Sequence, residues 1–132
     1  MKPSAHVRVD FTDVISIGPG KIGLLEQIER TGSLSAAARE LKMSYRRAWL
    51  LLTNVNTGFS EPVAVLSVGG VEGGGARLTK FGKQLVSDYR KLGQQVDELA
   101  QKTFAGVRTS RDKAAEPAVP RRAISRSLRA KA

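Results

Sequence analysis

Residues 33–58 read SLSAAARELKMSYRRAWLLLTNVNTG, and this stretch decides the fold. Its apolar residues recur at intervals of three and four, which predicts two short amphipathic helices. Ser33 and Ser44 stand where helix N-caps are expected, because a serine oxygen accepts a hydrogen bond from a free backbone N–H. The second helix should cover residues 44–57. Only a brief connection, Lys42-Met43, separates the two, so the stretch predicts a helix-turn-helix.

The second helix is predicted to have an inner apolar face and an outer polar face. The inner face is assigned to Ala48, Trp49, Leu52 and Val55. Ser44 and Tyr45 are assigned to the first turn. The residues assigned to the outer side are Arg46, Arg47, Leu50 and Asn54. An indole on the inner face would bury a large apolar area, so Trp49 is predicted to be structural. The alternative for Arg46 and Arg47 is a solvated face on a helix that only packs the core.

A β-hairpin is predicted directly after these helices. Residues 63–68 are typical of a strand, the glycine-rich residues 69–75 of a flexible tip, and residues 76–78 of a return strand. A hairpin at this place is a wing, which favours a winged helix-turn-helix that binds DNA over simple core packing. The glycine tract is not followed by Gly-Lys-Ser/Thr at the start of a helix and lacks the glycine spacing of a dinucleotide-binding loop, so no nucleotide site is expected.

The residues ahead of the helix-turn-helix predict a strand and a first helix. Apolar and polar side chains alternate at the start of residues 7–17, which favours a strand. A turn at Gly18-Pro19-Gly20 should end it. The first helix is predicted from Lys21, and Thr31-Gly32 supplies its stop.

A long helix is predicted over residues 79–105, which contain no proline. Its apolar seam follows the alternating three and four spacing of a coiled coil. The seam residues predicted to pair two chains are Leu85, Tyr89, Leu92, Val96 and Leu99. Pairing would place two recognition helices about 34 Å apart, one turn of DNA. In the alternative, the seam folds back on its own domain, and Phe81 and Leu85 in any case join the core. The fold class is thus mostly α with a small β-hairpin, and the long C-terminal helix serves dimerisation.

Composition favours a polyanionic partner and excludes several chemistries. The net charge of +10 on 132 residues favours double-stranded DNA, with an anionic membrane surface as the competing partner. With no cysteine and one histidine, the chain cannot form a zinc finger, an iron–sulfur cluster or a thiol nucleophile. No nucleophile is paired with a base, so we expect no enzyme and no cofactor. No apolar run is long enough to span a bilayer, which predicts a cytoplasmic, nucleoid-associated protein.

The last part of the chain differs in composition from the rest. Residues 107–132 carry eight basic and two acidic side chains, or +6 of the total charge. They mix Ala, Pro, Ser and Arg with no apolar period, so we predict a disordered basic tail after a domain at 1–106. The tail either contacts phosphates without sequence preference or only aids solubility.

Three segments together resemble a known family. They are Gly32-Ser33-Leu34-Ser35-Ala36-Ala37-Ala38, Met43-Ser44-Tyr45-Arg46-Arg47-Ala48-Trp49, and the wing glycines ending in Ala76-Arg77-Leu78-Thr79. Between about residues 15 and 105 the chain is similar to the N-terminal domain of ModE-type molybdate-dependent transcriptional regulators, and its layout resembles LysR-type winged domains. The resemblance implies a homodimer with Ser44, Tyr45, Arg46 and Arg47 on the recognition helix. Full-length members carry a C-terminal oxyanion-binding region. We expect this chain to lack that sensor and to bind no molybdate, which would leave sensing to a separate chain.

The function predicted from the sequence is a regulator that binds a partly palindromic operator, of molybdate transport or molybdenum-enzyme genes by the resemblance. The residues predicted to contact DNA are Ser33, Ser35, Lys42, Ser44, Tyr45, Arg46, Arg47, Asn54, Arg77 and Lys80. One alternative is an architectural, chromosome-associated protein with little sequence preference. Another is an RNA-binding accessory protein, although no aromatic-rich sheet motif supports it.

Overall fold

The computed structural model describes residues 2–67 and 75–112. The chain divides into two compact units, Met1–Lys102 and Thr103–Ala132. The elements, in chain order, are β1 (Val9–Asp10), β2 (Ser16–Ile17), α1 (Pro19–Thr31), α2 (Leu34–Glu40), α3 (Tyr45–Gly58), β3 (Ala64–Ser67), β4 (Gly75–Leu78) and α4 (Lys80–Thr103). This order of three helices, a hairpin and a long helix confirms the mostly α winged helix-turn-helix.

The N-terminal residues form a small antiparallel pair where a single strand was predicted. Val9 pairs with Ile17, and Asp10 pairs with Ser16. The chain reverses between them because the Thr12 hydroxyl oxygen accepts hydrogen bonds from the backbone N–H groups of Val14 and Ile15, at 3.2 and 3.0 Å. A hydroxyl two or three residues before an N–H is a common turn-forming arrangement. The apolar run therefore folds back on itself.

Helix α1 begins at Pro19, two residues before the predicted start at Lys21. The sequence prediction treated Pro19 as a turn residue, but a proline at the first helical position loses no hydrogen bond and already has helical φ. The predicted end is confirmed: the helix stops at Thr31, and Gly32 follows with a left-handed φ of 72°. Its N–H donates to the carbonyl of Ile28 at 2.8 Å.

Helices α2 and α3 are capped by the two predicted serines. The Ser33 hydroxyl oxygen accepts from the Ala36 N–H at 3.2 Å, and the Ser44 oxygen accepts from the Arg47 N–H at 3.1 Å. The connection between the helices includes Lys42, whose φ of 54° is left-handed. This residue lets the chain turn within a few positions, so α2 and α3 cross closely.

The wing strands β3 and β4 pair in antiparallel register, from Ala64 opposite Leu78 to Ser67 opposite Gly75. They confirm the two predicted wing strands. The predicted tip lies mainly in residues 68–74, outside the described residues. Residues 113–132, which hold most of the predicted tail, also lie outside them, and the tail remains a sequence prediction.

One side chain of α3 fixes the base of the wing. The Asn56 amide oxygen accepts from the Val63 N–H at 2.8 Å and the Ala64 N–H at 3.1 Å. The Asn56 amide nitrogen donates to the Ala64 carbonyl at 3.0 Å. At the other end of the hairpin, the Ala76 N–H donates to the Gly32 carbonyl at 2.8 Å. The wing is thus bonded both to α3 and to the end of α1.

The core lies between the three helices of the helix-turn-helix region and the inner sides of the wing and α4. Its buried residues are Ile17, Ile22, Leu24, Leu25, Ile28, Leu34, Ala37, Ala38, Ala48, Leu52, Val55, Val63, Ala64, Ala76, Leu78 and Tyr89. Alanines 37, 38 and 48 are buried where α2 and α3 approach, because small side chains allow close backbone contact. Among the described residues, no helix has the length and apolarity needed to cross a membrane.

Candidate nucleic-acid interface

Helix α3 turns one side to the core and the other to solvent. Ala48, Leu52 and Val55 are buried, and their spacing of four and three places them on one face. Arg46 and Leu50 therefore lie close to the opposite direction, since each residue turns the helix by about 100°. The outward side of α3 is the surface that this arrangement offers to a partner.

The exposed side of α3 is basic. Its sequence contains two arginines, Arg46 and Arg47, and no carboxylate. Both arginines are exposed. Within residues 2–67 and 75–112, neither forms an ion pair. Their guanidinium groups are therefore available to phosphates or to base edges, which accept bidentate hydrogen bonds from arginine.

A shallow cleft of about 450 Å³ opens along one flank of α3. It is lined by Lys21, Ser44, Arg46, Arg47, Leu50, Leu51 and Asn54. Four of these residues were predicted to contact DNA. The prediction missed Lys21, whose ammonium group donates to the Ser16 carbonyl at 2.9 Å and is held beside α3. The sequence does not indicate that Lys21 lies near α3, because only the packing of α1 on α3 brings it to the cleft.

The prediction that Trp49 lies on the inner face of α3 is wrong. Its side chain is 44% exposed, whereas Ala48, Leu52 and Val55 are buried. The reason is angular: Trp49 follows Ala48 by one residue, so it is rotated by about 100° from the centre of the buried face. Tyr45, one turn earlier on the same side, is 53% exposed. The structure thus adds Trp49 to the exposed surface of α3, next to the predicted Tyr45.

The remaining residues predicted to contact DNA are spread over other elements. Ser33 is half-buried and caps α2, so its hydroxyl is engaged within the chain. Ser35 is exposed on α2, and Lys42 is exposed in the turn before α3. Arg77 points outward from β4 between the buried Ala76 and Leu78, and Lys80 is exposed at the start of α4. The cleft residues do not include any of these five.

The carboxylates of α1 are paired with basic side chains of other elements. Glu26 accepts two hydrogen bonds from the Arg90 guanidinium, and this hydrogen bonding raises the pKa of Arg90. The Glu29 carboxylate lies 3.6 Å from the Lys83 ammonium group, and their side chains are 46% and 62% exposed. Exposed pairs of this kind contribute at most about 1 kcal/mol. Their effect here is to hold acidic groups of α1 beside α4.

The predicted dimerisation seam divides into two parts. Leu85 packs against the core, and Tyr89 is buried with its hydroxyl donating to the Val7 carbonyl at 2.7 Å. The N-terminal segment continues along α4, where the Ala5 N–H donates to the Asp97 carboxylate at 2.7 Å. Beyond Tyr89 the apolar residues of the seam are less covered. They are Leu92, Val96 and Leu99, of which Leu99 is 63% exposed.

The described residues contain no cluster of candidate metal ligands. In residues 2–67 and 75–112, no three histidine, cysteine, aspartate or glutamate side chains lie together as a metal site would require. His6 is exposed near the N-terminus.

Comparison with known proteins gives a consistent set of relatives. The chain is 42% identical over 88 residues to the molybdenum transport protein ModE of Azotobacter vinelandii, a match covering 67% of this chain and 33% of that protein. It is 41% identical over 83 residues to the molybdenum-pterin-binding protein MopB of Rhodobacter capsulatus, covering 63% and 31%. It is 35% identical over 86 residues to the DNA-binding transcriptional dual regulator ModE of Escherichia coli K12, covering 65% and 31%.

The relatives are longer proteins than this chain. It spans about a third of the length of the curated relatives that it matches. No protein-family model matches the chain. The resemblance to ModE-type regulators, predicted from the helix-turn-helix and wing motifs, is confirmed by these identities.

Proposed function

Because the chain is homologous to ModE-type regulators over about two thirds of its length, we propose that it binds duplex DNA with sequence preference and regulates transcription. The observation that carries this proposal is the outward side of α3. Within residues 2–67 and 75–112, the two arginines on this side form no ion pair, and the helix itself has no carboxylate. A side of that kind fits the major groove, which is wide enough for an α-helix.

In the proposed complex, α3 lies in the major groove and the first-turn residues Ser44 and Tyr45 are nearest the base edges. Arg46, Arg47 and Asn54 contact bases or phosphates, and Lys21 adds a further cation beside them. Arg77 on the wing, with Ser35, Lys42 and Lys80, contacts the phosphate backbone. Such contacts position the protein on the duplex but carry no sequence information themselves.

The active form in this proposal is a homodimer on a partly palindromic operator. Leu92, Val96 and Leu99 would pair across a two-fold axis, because apolar side chains at this spacing on a helix are buried by a second helix. We expect Leu99→Glu to give a monomer in sedimentation analysis. Gln95→Glu adds the same charge at an exposed position of α4 and should leave the dimer intact. A dimer that survives Leu99→Glu would contradict this part of the proposal.

The genes regulated are proposed from the relatives alone. Two of them are named for molybdenum transport and for binding molybdenum-pterin. We therefore propose that the operators lie upstream of molybdate transport or molybdenum-enzyme genes. Binding of the chain to promoter fragments of such genes, compared with unrelated promoters of equal length, tests this assignment.

The main test is to measure binding of arginine variants to duplexes enriched from a random library. Arg46→Ala and Arg47→Ala should each weaken binding to the enriched duplex by about 1 to 3 kcal/mol. Lys91→Ala removes the same charge from an exposed position of α4 and serves as the matched control. If the arginine variants lose no more affinity than the control, α3 does not contact the bases. Equal affinity for enriched and random duplexes would favour the architectural alternative.

A further inference from the structure

Three large apolar side chains remain exposed on α3 although apolar residues form the core beside them. Tyr45 is 53% exposed, Trp49 44% and Leu50 50%. We call these three residues the apolar patch of α3. Single exposed apolar residues are common on protein surfaces, but three within six residues of one helix indicate a surface that is covered on binding. The patch therefore needs a partner with apolar groups.

The patch and the arginines share one surface. Tyr45 and Trp49 are neighbours along the helix at a spacing of four, and Arg46 and Leu50 are neighbours at the same spacing. Leu50 also lines the cleft that contains both arginines. Any partner that covers the patch must therefore also accept two positive charges. A polyanion that carries apolar groups meets both requirements.

The position of the patch along α3 matches the part of the helix that would enter a groove. All three residues lie in the first two turns, next to the Ser44 cap. Trp49 lies two turns before Asn56 on the same side of the helix, and the Asn56 amide is bonded to the base of the wing. The indole is thus on the wing side of α3, while Leu50 is on the cleft side.

We propose that the apolar patch contacts thymine methyl groups in the major groove, so that the operator carries thymines opposite Tyr45, Trp49 and Leu50. This inference rests on the proposed function. Among the four bases, thymine alone presents a methyl group in the major groove, and apolar side chains recognise it by direct contact. The arginines then supply contacts to guanine or phosphate beside it. The patch makes the sequence preference depend on a group that forms no hydrogen bond.

The experiment replaces thymine by uracil in the duplex enriched from a random library. Uracil keeps every hydrogen-bonding group of thymine and lacks only the methyl. With the full chain, uracil at one or more positions should weaken binding at least about fivefold, the scale of a lost apolar contact. Leu50→Ala or Trp49→Ala should reduce that loss to less than about twofold at the position it contacts.

Two controls separate the methyl contact from other causes. Val14→Ala shortens an exposed apolar side chain in the turn between β1 and β2, and this variant should keep the full uracil effect. Circular dichroism of each α3 variant checks its folding. If Trp49→Ala does not fold, Trp49→Phe takes its place; it keeps an apolar ring and should retain part of the methyl dependence.

The outcomes distinguish this inference from the proposed function. If Arg46→Ala weakens binding but uracil has no effect at any position, the methyl contact is refuted and the proposed function stands. A uracil effect that persists unchanged in the alanine variants of all three patch residues would assign it to DNA shape or to another element, and would also refute the inference. If the library yields no enriched sequence, the proposed function itself fails.

Discussion

Gly82 is the position in α4 where one added methyl group should disrupt the fold. A Cβ at this residue would lie 1.9 Å from the Val63 carbonyl oxygen and 2.9 Å from the Val63 carbonyl carbon. The backbone of α4 therefore approaches the start of the wing more closely than any other residue type allows. The same Val63 carbonyl accepts a hydrogen bond from the Thr79 N–H at 2.9 Å, which fixes the first turn of the helix.

The expected effect of Gly82→Ala is a net loss of stability. To reach an ordinary contact distance of 3.4 Å, the two backbones must separate by about 1.5 Å. Overpacking of this kind costs about 1 to 3 kcal/mol, and loss of the Thr79 hydrogen bond adds about 1 kcal/mol. Replacing a helical glycine by alanine gains about 1 kcal/mol in helix propensity. The net destabilisation is therefore about 1 to 3 kcal/mol.

The same helix provides a matched control. Among the described residues, no atom outside the surrounding backbone of α4 lies within 4 Å of a Cβ placed on Gly93, so Gly93→Ala should gain the helix propensity and stabilise the chain by about 1 kcal/mol. Urea unfolding followed by circular dichroism, at one protein concentration, gives the free energy of unfolding of both variants and the original chain. If Gly82→Ala is as stable as Gly93→Ala, α4 does not approach the wing closely enough to exclude a side chain at Gly82.

Three further changes test the helix cap, the N-terminal segment and the exposed indole. Ser33→Ala should lower the free energy of unfolding by about 1 kcal/mol, while Ser35→Ala, two residues further along and not at the cap position, should change it by less than half of that. Equal losses would contradict the cap assignment. Tyr89→Phe should lower the free energy of unfolding by about 1 kcal/mol, because the partly buried Val7 carbonyl loses its donor, and unchanged urea unfolding would speak against that bond. Trp49→Ala should lower the free energy of unfolding by much less than the roughly 3 to 5 kcal/mol typical of a buried tryptophan. A loss of that size would show that the indole is buried in the core.

Much of the fold follows from local features of the sequence. Ser33 and Ser44 cap their helices as predicted, and Gly32 ends α1 with the left-handed φ that favours glycine. Such features act within a few residues, so the sequence displays them directly. The wing strands are predictable for the same reason, since two short apolar runs flank a glycine tract.

Other features depend on packing between distant segments and give no local signal. The N-terminal segment lies along α4 through the Val7 and Ala5 backbones, and backbone groups carry no sequence signature. In the sequence, Gly82 only weakens the predicted helix. In the structure, a glycine is required at this position because α4 packs directly against the Val63 backbone. The prediction that places Trp49 on one face with Ala48, Leu52 and Val55 is wrong, because those three smaller residues already fill the core side of α3.

At the candidate site, sequence reasoning found the outward arginines but missed the indole and Lys21. Arg46 and Arg47 are predictable because charged residues on an amphipathic helix face solvent. Lys21 reaches the cleft only through the packing of α1 on α3, which spans more than twenty residues of sequence. The contacts of these residues with DNA remain predictions.

The exposure of Trp49 gives the chain a built-in optical probe. It is the only tryptophan among 132 residues, so the indole fluorescence arises from a single position. Because that position is on the solvent side of α3, the emission reports on the surface of one helix and not on the interior. Any molecule that covers α3 should shift or quench this emission. A label-free titration can therefore follow occupancy of this helix from a single position.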